Sequence, residues 1–176
     1  MASMQVVVVD ADVLIPILSC DFLLTGLDLA VYELSAVYEL SASPKVLDEV
    51  ERHLITDFPT QDPSRLAVRA GHMRFALRNS VVRDVRPTEA VDAVNAKDRH
   101  AAMAAITSRA TVAVTNDRRL RRQLSEALPK LSPVSVDQFA LRLFQRDPTP
   151  KNRAALRSPL LRYRGRSDAP SAQNRR

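Results

Sequence analysis

VVVVDADVLIP, Val6 to Pro16, is the stretch on which the fold turns. A short valine run reads as a strand buried on both faces, the kind that lies inside a parallel sheet. The run stops at Asp10 and Asp12, one residue apart. Carboxylates at the rim of a core are costly unless a cation or a set of donors meets them. The stretch therefore asks what Asp10, alone or with Asp12, is there to hold.

Outward from this strand (Gln5–Val9), the chain alternates apolar strand-like runs with amphipathic helices. Residues 13–29 read as helical, as two short helices meeting near Cys20 and Asp21. The hexapeptide AVYELS follows at 30–35 and is repeated at once at 36–41, and the second copy reads as strand two. Ser43-Pro44 is an N-cap and first-turn signal for a helix to about Ile55, with Val46, Leu47, Val50 and Leu54 on its apolar face. A loop at 57–63 leads to a helix over 64–79 carrying Arg65, Arg69, Arg74 and Arg78. VVRDV (81–85) reads as strand three, 97–108 as an alanine-rich helix, and TVAVT (111–115) as strand four. A helix over 118–128 stacks Leu120, Leu124 and Leu128; PVSV is a candidate fifth strand and 137–145 a last helix. The alternation predicts an α/β fold, a three-layer α/β/α sandwich around a mostly parallel sheet of four or five strands.

Bulk properties narrow the function. The only glycines are Gly26, Gly71 and Gly165, which excludes a glycine-rich phosphate loop. Cys20 is the only cysteine, which excludes a disulfide framework and a cysteine zinc site. The net charge of +6 divides unevenly: residues 142–176 carry +8 and the remainder −2. The expected organisation is one domain at 1–145 and a basic, disordered tail at 146–176, the tail a solvated end or an aid to nucleic-acid binding. LIPILSC resembles the end of a lipoprotein signal, but no Lys or Arg precedes it, and Asp10, Asp12, Asp21 and Asp28 interrupt any bilayer-length run. A soluble, cytoplasmic protein with no membrane partner is the expectation.

In open α/β sheets the reactive edge lies at the carboxyl ends of the strands. Asp10 ends strand one, and Thr115-Asn116-Asp117 end strand four. Glu49 or Glu51, which both flank the apolar stripe of their helix, and Asp98, at the start of KDRHAAMAAI, can join them. Each acid also has an ordinary account. Asp10, Asp12, Asp98 and Asp117 all stand where helix caps stand, and a glutamate on a helix is commonly solvated. Only the set points to chemistry.

The pieces VVVVDADVLIP, SPKVLDEVERHL, NAKDRHAAMAAI and VAVTNDRRL, in that order, resemble the PIN-domain nucleases, especially the VapC-like toxin ribonucleases of bacteria. The resemblance covers about residues 5–140. It implies a PIN-like fold and a catalytic, metal-binding quartet of Asp10, Glu49, Asp98 and Asp117, choosing Glu49 over Glu51. Asp12, Thr115 and Asn116 become supporting polar groups. The chain departs from the family pattern at Asn95, where an acid is often found, and in the spacing around the repeat.

A phosphodiester and a carboxylate cluster are both anionic and meet only through a divalent ion; hard oxygen ligands favour Mg²⁺ or Mn²⁺, one or two ions. The resemblance implies metal-dependent RNA hydrolysis leaving a 5′-phosphate, a toxin of a toxin–antitoxin pair, an antitoxin partner and a homodimer. Arg118, Arg119, Arg121 and Arg122, beside Asp117, are candidate RNA-binding residues, as are the arginines of the 64–79 helix. His53, His72 and His100 show no i, i+4 pairing and read as structural; His100, near Asp98, is the one to mutate. Two rival readings stand beside this one. The first is a haloacid-dehalogenase-like phosphatase with Asp10 as nucleophile and Asp12 as general acid, whose lysine and late acidic pair are not evident after Lys130. The second is a non-catalytic PIN fold that binds RNA or protein.

Overall fold

The computed structural model describes residues 5–29, 38–77, 81–82 and 91–146. The first AVYELS copy and the tail from Asp147 onward lie outside the described residues. The Val6–Val9 run forms β1 (Gln5–Val9), at the middle of a four-stranded sheet with β2 (Tyr38–Ser41), β3 (Val112–Val114) and β4 (Ser132–Val134). All pairings are parallel and the order is β2-β1-β3-β4. Val7 pairs with Leu40 on one side and Val112 on the other, which explains why this strand needs apolar residues at successive positions.

The helices are α1 (Ala11–Leu14), α2 (Ile17–Leu29), α3 (Pro44–Asp57), α4 (Pro63–Ala76), α5 (Arg99–Thr107), α6 (Arg118–Ala127) and α7 (Val136–Arg146). They cover both faces of the sheet, as the strand pleat requires. Val7, Val9, Val112 and Val114 join one apolar cluster with Leu14, Leu23, Val46, Val50, Leu54 and Phe139. Val8 and Ala113, pointing the other way, join a second cluster with Ala101, Ala102, Ala105, Leu120 and Leu124. The small alanines of α5 let that helix lie close to the sheet.

Local signals position the layers. The Ser43 hydroxyl accepts from Val46 N at 3.2 Å, and Pro44 occupies the first turn of α3. Asp62 caps α4 in the same way, accepting from Ser64 N at 2.9 Å with Pro63 behind it. Each such cap typically stabilises a helix by about 1 kcal/mol.

One expectation needs correction, and another falls largely outside the described residues. The first two helices meet at Ile15-Pro16, not near Cys20 and Asp21. Pro16 lacks the N–H that would continue the ladder, and its ring crowds the preceding turn. Of the strand expected at 81–85, Val81 makes a parallel bridge to Ala42 and 83–85 lie outside the described residues. The sheet of described residues therefore has four strands, with PVSV supplying the end of β4.

Candidate metal centre

The strand order creates the site. Connections leave β1 toward β2 and leave β3 toward β4, so β1 and β3 are neighbours whose chains depart in opposite directions. Such a switch point opens a crevice outside the carboxyl ends of the two strands. Asp10 follows β1 and Thr115-Asn116-Asp117 follow β3, with Asp10 N donating to Val114 O at 3.1 Å to tie the two ends together.

Asp10 stands at the N-cap of α1 and Asp98 at the N-cap of α5, yet neither side chain caps its helix. Asp117 does cap: its Oδ1 accepts from Arg119 N at 2.7 Å and Leu120 N at 3.1 Å. The ordinary account thus fits Asp117, while Asp98 makes no side-chain cap bond and Asp10 meets only the adjacent Ala11 backbone.

Glu49, on the inner flank of α3, turns toward α5. Its Oε2 lies 3.5 Å from His100 Nε2. Glu51 instead joins Asp48 in holding Arg74 of α4, at 2.8 and 2.7 Å. Donor atoms of Asp10, Glu49 and His100 all lie within 4.8 Å of one another. Among the residues named for the site from sequence, Asp10 and Glu49 are thus brought together, and Asp98 lies near enough to Asp10 and Asp117 to feel both charges. His100, given a structural reading from sequence, places its Nε2 within this group.

Electrostatics follow from crowding acids in a partly buried site. Burial pushes the Asp10 carboxyl above its usual range and Glu49 adds slightly to the rise, while the Ala11 backbone N–H, the Thr115 hydroxyl and a charged His100 oppose it. Asp98 is raised, chiefly by burial and then by the charges of Asp10 and Asp117, against the attraction of Lys97. Asp12 is pushed up to about 6 by burial and by Asp10.

Asp12 shapes the β3 turn. Its Oδ2 accepts from Asn116 N at 2.7 Å, Asp117 N at 3.0 Å and the Thr115 hydroxyl at 3.2 Å. Its Oδ1 is buried with no hydrogen-bond partner. The Thr115 hydroxyl, almost wholly buried, stands 3.1 Å from Asp10 Oδ2 and so spans both acids with one proton. The Asn116 side chain turns away from the acids and accepts from Val136 N at 3.3 Å.

The arginines separate by role. Arg121 donates to Thr115 O at 2.6 Å and holds the turn, and Arg122 faces Glu126 at 3.8 Å. Arg118 and Arg119 are exposed and make no ion pair among the described residues. Arg69 and Arg74 serve packing: Arg69 donates to Ile15 O at 2.6 Å, and Arg74 binds the α3 acids. Arg78 lies outside the described residues.

The donor set suits a divalent cation. The carboxylates of Asp10 and Glu49 and a buried imidazole nitrogen of His100 converge, and Asp10, Asp12 and Asp98 are each held above their ordinary range. A bound cation would favour the ionised forms of these acids. An apolar pocket of about 470 Å³, lined by Ile106, Arg109, Leu128 and Leu131, lies at the amino ends of the strands and contains no acid. Comparison with protein-family models, curated proteins and solved structures finds no match to the chain. Among the described residues, no helix is long and apolar enough to cross a membrane.

Proposed function

We propose that the chain is a divalent-metal-dependent ribonuclease of the PIN type, acting as the toxin of a toxin–antitoxin pair. The observation that carries this reading is the convergence of Asp10 and Glu49, with donor atoms within 4.8 Å of each other and of His100, at the carboxyl edge of a parallel sheet. In this reading Asp10 and Glu49 hold the cation. Asp98 and Asp117 border it, and Asp12, Thr115 and Asn116 keep the β3 turn in place beneath it. Bound Mg²⁺ or Mn²⁺ supplies the Lewis acidity and the activated water that phosphodiester hydrolysis needs. The exposed Arg118 and Arg119, at the start of α6 beside Asp117, are placed to grip phosphates flanking the cut.

The test is cleavage of single-stranded and structured RNA by purified protein, with Mg²⁺, with Mn²⁺, and with chelator. Asp10→Asn and Asp98→Asn should each lower cleavage more than about 100-fold. Both should fold, since neither carboxylate caps its helix. Cleavage that survives chelation, or that the double variant retains, removes the assignment. Induced expression should arrest growth only while Asp10 is present. Its cognate antitoxin would be sought by co-purification from the same cells.

A further inference from the structure

We propose that His100 Nε2 is a direct ligand of the cation held by Asp10 and Glu49, and that this nitrogen makes the site select Mn²⁺ over Mg²⁺. The inference rests on the metal-site reading above and adds the identity of the ion.

The imidazole is set for this role. Its Nδ1 lies 2.8 Å from the Lys97 carbonyl, an acceptor, so Nδ1 carries the proton and donates. In its neutral form the ring presents the Nε2 lone pair, and a backbone bond to the other nitrogen is how metal-bound histidines are usually oriented. The His100 side chain is only 11% exposed. Its Nε2 is buried and makes no hydrogen bond. Glu49 Oε2 stands 3.5 Å from it, well beyond the 2.7–2.9 Å of a charge-assisted hydrogen bond. Two ligands side by side on one small cation, each about 2.1 Å from it, stand roughly 3 Å apart. The spacing therefore suits two donors facing a shared ion better than an imidazole bonded to its acid.

The choice of ion follows from donor chemistry. Mg²⁺ prefers an all-oxygen shell, whereas Mn²⁺ takes oxygen readily and the first-row ions accept imidazole. Replacing one carboxylate by a nitrogen in a three-donor group costs Mg²⁺ more than Mn²⁺.

The experiment titrates the metal-free full chain with Mn²⁺ and with Mg²⁺ by calorimetry. Pulsed electron paramagnetic resonance of the Mn²⁺-bound wild type then looks for ¹⁴N coupling. The expected result is a wild-type preference for Mn²⁺ of about tenfold or more, with nitrogen coupling in the spectrum. His100→Ala should lose the coupling and at least about tenfold in Mn²⁺ affinity, with Mg²⁺ affinity changed much less. Mn²⁺ bound without nitrogen coupling, or equal losses for both ions in His100→Ala, overturns the role of His100. The carboxylate reading would then still stand if Asp10→Asn abolishes binding. Wild-type protein that binds neither ion overturns both. The wild-type spectrum decides the matter even if the variant fails to fold.

Discussion

The Asp12 carboxyl accepts three donors and is still pushed up to about 6, first by burial and then by Asp10. Because the folded value lies above the ordinary 3.8, the fold binds this proton more tightly than the unfolded chain does. Between about pH 4 and pH 6 the metal-free protein therefore loses stability as pH rises, and the loss is complete above the folded value. Two pH units correspond to roughly 3 kcal/mol, shared with Asp10 because the two carboxyls titrate as a pair. Asp12→Asn keeps an oxygen for the Asn116 and Asp117 amides and removes the charge. In chelator, urea unfolding at pH 4, 5.5 and 7.5 should show the variant gaining on the wild type as pH rises; parallel profiles would mean that Asp12 carries no such cost. The prominence of Asp10 and Asp12 was legible from the valine run that precedes them. The choice between Glu49 and Glu51 was not, because both flank one helical stripe, and only the packing of α4 against α3 sends Glu51 to Arg74. The nearness of His100 to Asp10 and Glu49 was not legible, since histidines on helices are read for metal by i, i+4 pairing and His100 has no such partner. What fixes its ring, a bond to the carbonyl three residues back, shows only in the structure.

Helix ends and breaks carry the same reasoning to elements. The break at Ile15-Pro16 leaves carbonyls of α1 without helical donors, and the chain supplies them from elsewhere. Arg69 on α4 donates to Ile15 O at 2.6 Å and Leu14 O at 3.4 Å, and the Ser19 hydroxyl donates to Val13 O at 2.7 Å. Arg69→Ala leaves partly buried carbonyls unpaired and should lower unfolding free energy by about 1–3 kcal/mol. Arg65→Ala, one turn earlier on an exposed face, should change it by less than about 0.5 kcal/mol. Urea titration of the two variants separates the roles, and equal effects would remove the structural account of Arg69. The start of α3 was legible because Ser43-Pro44 is local capping chemistry; the Asp62-Pro63 cap of α4 has the same form, and the break at Pro16 a local cause, but from sequence both are passed over in favour of a loop and of a junction near Cys20.

At the scale of the molecule, alternating strands and helices announced a parallel sheet, but strand order is a long-range property that no local pattern encodes. The order β2-β1-β3-β4 brings Asp10 and Asp117 to one crevice, and the packing of α3 and α5 over β1 delivers Glu49 and His100 to its wall. The fold thus concentrates negative charge at the place where its two central strands end. Asp10 is raised by burial and by Glu49, and Asp98 by burial and by Asp10 and Asp117, so the metal-free site opposes folding at neutral pH. A cation that binds only the folded state reverses the balance, by about 2.7 kcal/mol at a concentration 100 times its Kd. Asp10→Asn removes one charge and one ligand together. In chelator at pH 7.5 the variant should unfold at a higher temperature than the wild type. With saturating Mn²⁺ the order should invert, because only the wild type gains. Thermal unfolding of both proteins in the two conditions reads this crossing directly. A variant less stable than wild type in chelator would show that the Asp10 carboxylate supports the fold rather than straining it, and an Mn²⁺ shift equal in both proteins would place the cation somewhere other than at the end of β1.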